Sequence, residues 1–127
     1  MKALKSSKGF TLIEIIAVLV ILGILAAVAV PKYVDMQGEA KKAAAKGQIA
    51  EMKSSANLAY ANLYLKNATQ PTAAEIVTEL GPPTTLGADP DKWTVSFTAS
   101  GASAIKLAVT KRGEDDGYKA TGTWNRP

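Results

Sequence analysis

The hydrophobic and polar positions change rhythm twice along the 127-residue chain. From Phe10 to Val30 apolar residues run almost unbroken, and fourteen of these 21 positions are Phe, Leu, Ile or Val. As a helix the run is roughly 31 Å long, the thickness of a bilayer's hydrocarbon core. At about 0.3–0.6 kcal/mol for each large apolar residue, insertion gains roughly 4–8 kcal/mol. The single acid, Glu14, costs about 3 kcal/mol at mid-bilayer and less near an end, so the segment inserts in spite of it. Lys2, Lys5 and Lys8 precede the run and orient its start towards the cytoplasm.

After Pro31 the apolar residues thin out to helical spacing. Ala45, Ile49, Met52, Ala56, Ala59 and Leu63 recur at intervals of three and four, widened by Tyr60, which predicts an amphipathic helix from Lys32 to about Lys66. Lys41, Lys42, Lys46, Glu51 and Lys53 are then solvated or face neighbours, and Gly38 and Gly47 are tolerated irregularities. Asn67 to Gln70 ends the helix. Thr72-Ala73-Ala74-Glu75 is a capping box that starts a short helix through Ile76, Val77 and Leu80, stopped by Gly81-Pro82-Pro83. Thr84 to Lys92 reads as a loop.

The period then becomes two. Trp93, Val95 and Phe97 share one face of WTVSFT, and Ile105, Leu107 and Val109 one face of AIKLAVT. Tyr118 to Trp124 is a third strand candidate, with Tyr118, Ala120 and Trp124 on one side. The expected fold class is α+β: a long N-terminal helix, half hydrophobic and half amphipathic, packed against about three short antiparallel strands. The expected organisation is a basic leader over 1–9, a membrane helix over 10–31, the amphipathic half over 32–66 and a globular head over 67–127.

Composition narrows the chemistry. The chain has no Cys and no His, which excludes a Cys/His zinc site, a thiol nucleophile and a histidine base. The formal charge is +4 with a pI near 9.3. Three of the fifteen basic residues lie in the first nine positions, and without them twelve bases face eleven acids. The basic balance therefore belongs mostly to targeting rather than to a nucleic-acid surface. Lys106, Lys111, Arg112, Lys119 and Arg126 are the basic residues available to interleave with aromatics in single-stranded DNA binding, which stays open. Core packing accounts for most of the eight aromatics Phe10, Tyr33, Tyr60, Tyr64, Trp93, Phe97, Tyr118 and Trp124.

The N-terminal run has three readings. A secretory signal peptide would use the small-x-small site Ala27-Val28-Ala29 and release a chain starting at Val30. A permanent single-span anchor is the second. Neither needs a Gly directly before the apolar run, or a Glu four residues into it. The stretch Lys8-Gly9-Phe10-Thr11-Leu12-Ile13-Glu14 closely resembles the processing motif of the type IV pilin family, and the resemblance continues through Gly23, Pro31, Lys32 and Tyr33. PKYVDMQGEAKKAA further resembles pilins of the mannose-sensitive haemagglutinin type.

This resemblance implies cleavage between Gly9 and Phe10 by a prepilin peptidase, N-methylation of Phe10, and polymerisation in which Phe10, Thr11 and Glu14 take part. In such filaments Glu14 would neutralise a neighbour's Phe10 ammonium, a group costly to bury unpaired. Retention as a start-of-helix acid favoured by the macrodipole is the simpler alternative. The stretch between Gly23 and Pro31 is implied to melt inside a filament, against a continuous, slightly bent helix. The implied partners are other copies of the chain, the prepilin peptidase, an inner-membrane platform, an ATPase and the membrane itself. The implied path runs from the bacterial inner membrane, with the head in the periplasm, to an extracellular pilus for adhesion, motility or DNA uptake. A pseudopilin of type II secretion is the alternative, and no enzymatic constellation is present.

Two departures follow from the missing Cys and the acidic turns. The family often closes its C-terminal loop with a disulfide, which this chain cannot form. The major pseudopilin of type II secretion uses calcium there instead. Asp89, Asp91, Glu114, Asp115 and Asp116 are the oxygen donors available for it, with solvated turn acids as the simpler reading. No cofactor is otherwise expected.

Overall fold

The computed structural model describes residues 9–127, so Met1 to Lys8, with the three orienting lysines of the leader, lie outside the described residues. Helix α1 spans Leu12–Asn67 and α2 spans Ala73–Leu80; four strands follow, β1 Thr84–Leu86, β2 Trp93–Ser100, β3 Ala104–Arg112 and β4 Ala120–Asn125. The chain divides into two compact units, Met1–Gln37 and Gly38–Pro127. The helix continues through Gly23 and Pro31 in this isolated subunit, although Pro31 has no N–H to donate.

In the second unit the sheet is a meander of order β1-β2-β3-β4, antiparallel throughout. Hence there are four strands rather than three. Thr84–Leu86, expected within a loop, pairs with β2 through Thr84↔Val95 and Leu86↔Trp93. Three residues are too few for a period-two pattern to be visible, and the strand exists only because β2 offers it an edge. Strands β2 and β3 also extend further than the alternation indicated, to Ser100 and Arg112. The register between β2 and β3 shifts by one residue between Thr94 and Val95, so that Arg112 rather than Lys111 stands opposite Trp93.

The apolar residues of three elements meet in one core. Ala45, Ile49, Met52, Ala56 and Ala59 of α1 lie against Val95, Phe97, Ile105, Leu107, Val109 and Trp124 of the sheet, while Ala73 and Ile76 of α2 close one end. Met52, Ile76, Ile105 and Leu107 are wholly buried. Alanine on α1 brings the helix backbone close to the sheet. Gly122 of β4 shows how close: a Cβ there would stand 2.6 Å from Ile49 Cγ2. Gln48, on the same helical stripe, is the buried polar residue of this core, and its Nε2 has no partner.

The short helix forms as the capping box requires. Thr72 Oγ1 accepts the Glu75 amide at 3.3 Å, and the Glu75 carboxylate accepts the Thr72 amide at 2.6 Å. The Thr72 amide, and the Thr72 hydroxyl that donates to the same carboxylate at 2.9 Å, hold the Glu75 carboxyl below its ordinary value. Gly81 ends the helix at φ 89°, in the region that favours glycine.

Candidate functional site

Within the first unit the candidate processing site is open. Gly9 precedes the helix, Phe10 is 84% exposed, and nothing stands within 4 Å of a Cβ built on Gly9. The Gly9–Phe10 peptide therefore lies in accessible, non-helical backbone. Helix α1 starts two residues later under a second capping box that the sequence reading did not identify. The Glu14 amide donates to Thr11 Oγ1 at 3.3 Å, and Glu14 Oε2 accepts the Thr11 amide at 3.1 Å. The T-x-x-E signature that marks Thr72 to Glu75 is also present at Thr11-Leu12-Ile13-Glu14. The apolar run around it had masked the pattern.

This local bonding gives Glu14 a role in the free subunit: it satisfies one of the helix's orphan amides. It also fixes where the carboxylate lies. Phe10 and Glu14 line one groove of about 580 Å³ with Ile15, Val18 and Leu19. The groove is apolar apart from the carboxylate. An ionised carboxylate has about four lone-pair positions and the capping bond uses one, so capacity remains for a cation placed in the groove.

The rest of the unit is an unpartnered apolar surface. Large residues from Leu12 to Val30 are between 44% and 80% exposed. Among the described residues, α1 is the helix long and apolar enough to cross a membrane; its most apolar 18-residue window has a mean hydropathy of 3.0 and none of it is buried. Gly23 has open space around it, and Pro31 lies inside the helix.

The acidic candidates lie on the β1–β2 and β3–β4 loops of the second unit, and each has its own neighbours. Asp115 pairs with Lys41 at 2.5 Å and accepts the Gly117 amide at 2.8 Å. Asp116 pairs with Lys119 at 3.6 Å and Asp89 with Lys92 at 2.9 Å. Asp91 stands 4.0 Å from Arg112 Nε. Glu114 borders a crevice it shares with Asp89, Lys92 and Lys111. No group of three or more acidic side chains suited to a metal ion occurs among the described residues.

Asp115 takes part in a brace for the β3–β4 loop. Lys41 of α1 holds Asp115, and its ammonium lies 5.5 Å from the Tyr118 ring centre. The Arg112 guanidinium lies 5.2 Å from Trp93 and 5.7 Å from Tyr118, whose rings meet edge to face at 5.5 Å. The hydrogen bond to Asp115 raises the Lys41 pKa, and the same bond with that from Gly117 lowers that of Asp115. Lys41, expected to be solvated or to face a neighbour, is held within its own chain; a partner 74 residues away leaves no trace in local periodicity. Arg112, one of the basic residues available for nucleic acid, is engaged with its own aromatics.

Comparison with known proteins places these features. Residues 4–30 match the family described as the prokaryotic N-terminal methylation motif. The type IV narrow pilus major component of Thermus thermophilus is 33% identical over 112 residues, covering 85% of this chain and 90% of that protein. A fimbrial protein of Pseudomonas aeruginosa is 41% identical over 56 residues, covering 44% of this chain and 36% of its own length. The type II secretion system core protein G of Pseudomonas aeruginosa is 53% identical over 45 residues, 35% of this chain and 32% of that protein. With an open Gly-Phe junction, a capped apolar helix, a small meander sheet and a 33% identical relative matched over 85% of its residues, this chain belongs to the type IV pilin and pseudopilin family, as a structural subunit and not an enzyme.

Proposed function

We propose that this protein is the subunit of a type IV pilus, cut after Gly9, methylated at Phe10 and polymerised through its apolar helix into a surface filament. The observation that carries the reading is the exposed Gly9–Phe10 junction directly ahead of a helix whose apolar residues have no partner in the subunit. Before assembly the membrane covers that surface, and in the filament other copies do. Lipid and protein core are similarly apolar, so burial alone gives assembly little direction. The Phe10 ammonium created by cleavage meets the spare capacity of a Glu14 carboxylate, and that pair supplies register. The prepilin peptidase, an inner-membrane platform and an ATPase are the partners this pathway requires. The head occupies the periplasm first and the filament surface afterwards. Surface attachment, motility and DNA uptake are the tasks such a filament performs. The Gly23 to Pro31 stretch, helical in the isolated subunit, is the part we expect to melt when subunits pack, because Pro31 removes a backbone donor.

A short pseudopilus of type II secretion is the second reading, favoured by the 53% identity to core protein G over 45 residues. The pilus reading is preferred because the pilus component of Thermus thermophilus matches 90% of its length. The deciding experiment is the intact mass and N-terminal sequence of the mature protein from sheared surface material and from membranes. A chain starting at methylated Phe10 in the sheared fraction is expected. The same chain confined to membranes, with exoprotein secretion lost on deletion, would favour the pseudopilus. A chain starting at Val30 would sink both readings.

A further inference from the structure

The exposed side of α1 in the second unit carries two different lines of residues. Glu51, Leu58 and Leu65 are spaced by seven and so lie along one line of the helix. Leu58 and Leu65 are 67% and 80% exposed, unusual for leucines on a helix whose other side forms the core. Lys46, Lys53, Asn57 and Tyr64 make a second exposed line roughly a third of a turn away. The ion pairs among the described residues use none of Glu51, Lys46 and Lys53.

We propose that these two lines are the complementary halves of a contact between successive copies of this chain, with Glu51 of one copy pairing with Lys46 or Lys53 of the next. Leu58 and Leu65 then cover the Ala50, Ala61 and Tyr64 side of the neighbouring helix. The inference rests on the polymer proposed above and names the surface outside the apolar segment that holds it. Two features favour a second copy as the occupant. The lines differ in character, acidic-apolar against basic-polar, as a head-to-tail contact requires; a two-fold contact would set one line against itself. The basic line also repeats at seven residues, so Glu51 meets a lysine either level with it or after a slide of about 10 Å along the helix.

The test reverses charges in the full-length chain in its own host. Glu51→Lys, and separately Lys46→Glu with Lys53→Glu, are each expected to lower filament yield about fivefold, the factor that about 1 kcal/mol of exposed ion pairing represents. Combining the three changes is expected to restore it. Unchanged yield in the separate variants would overturn the proposal. Because the chain has no Cys, thiols supply a second measurement that does not depend on the combined variant folding. Copies carrying Leu58→Cys, mixed with copies carrying Ala50→Cys or Ala61→Cys, should form disulfide-linked dimers within filaments. Thr98→Cys on the outer sheet face should not. Intact filaments with no more cross-linking than the Thr98→Cys control would also overturn it. If the unsubstituted chain is not cut after Gly9 and makes no filament, the pilin reading fails, and this inference with it.

Discussion

Glu14 combines two roles that single substitutions usually confound. It caps its own helix through the Thr11 amide, and it presents a charge beside Phe10. Glutamine serves a capping box as glutamate does, because its carbonyl oxygen accepts the same amide. Glu14→Gln therefore keeps the cap and removes only the charge. A charged hydrogen bond is worth about 1.5–3 kcal/mol, so we expect Glu14→Gln to insert and be cleaved normally but to lower filament yield about tenfold or more. Yield equal to wild type, read by shearing and quantifying surface protein, would reduce Glu14 to a cap. Gly122 tests packing at the same scale. Its missing side chain admits Ile49, and Gly122→Ala should cost about 1–3 kcal/mol of head stability, measurable by denaturant unfolding. The two positions differ in how far the residues alone reveal them. The second T-x-x-E was in plain sight at Thr11 to Glu14, but Gly122 looks like any strand glycine until Ile49 is placed over it.

At the scale of elements, the β3–β4 loop shows how this chain manages without a disulfide. The loop is tied to α1 through Lys41 and Asp115, and to the sheet through Arg112 between Trp93 and Tyr118. The pKa shifts set the window in which the tie holds. Asp115 is lowered from 3.8, so its contribution is present above that value and lost as pH falls through its folded pKa. Lys41 is raised from 10.5, so its contribution is present below that value and lost as pH rises through its folded pKa. The tie is expected to be intact between the two ordinary values and to open beyond them, as pH falls through the lowered Asp115 pKa or rises through the raised Lys41 pKa. Amide exchange at Gly117, which donates to Asp115, should quicken beyond its intrinsic rate as Asp115 protonates, and Lys41→Ala should move that onset to higher pH because the largest cause of the lowered Asp115 pKa is gone. The effect is confined to the loop because both partners are partly exposed and an ion pair at such a site contributes little to global stability. The elements themselves were legible where their period was long: the α1 stripe at Ala45 to Ala59, and the alternation of β2 and β3. They were illegible where a tertiary partner creates them, as for β1, or where the bond spans the chain, as for Lys41.

For the whole molecule, burial separates two jobs along one helix. Every residue of the buried core, from Ala45 to Trp124, belongs to the unit Gly38–Pro127, whereas the residues that would cross a membrane bury nothing. The head should therefore fold without the apolar segment. A chain beginning at Gly38 is expected to be soluble, monomeric and cooperatively folded, because Ile76, Ile105, Leu107 and Met52 need nothing from residues before it. Circular dichroism through a thermal transition, with sedimentation for mass, checks both points. Loss of cooperative unfolding would mean that the first unit contributes to the head's stability. The same chain should form no filament even at high concentration. Leu58, Leu65 and a Glu51–lysine pair make only a small contact, and a stable interface buries on the order of 1,200–2,000 Å². On this proposal the apolar helix supplies affinity, and the charges around Glu51 add to the register that the Phe10–Glu14 pair supplies. Truncated heads that nonetheless assembled would show the opposite division of labour, with the head surface alone sufficient to hold the polymer.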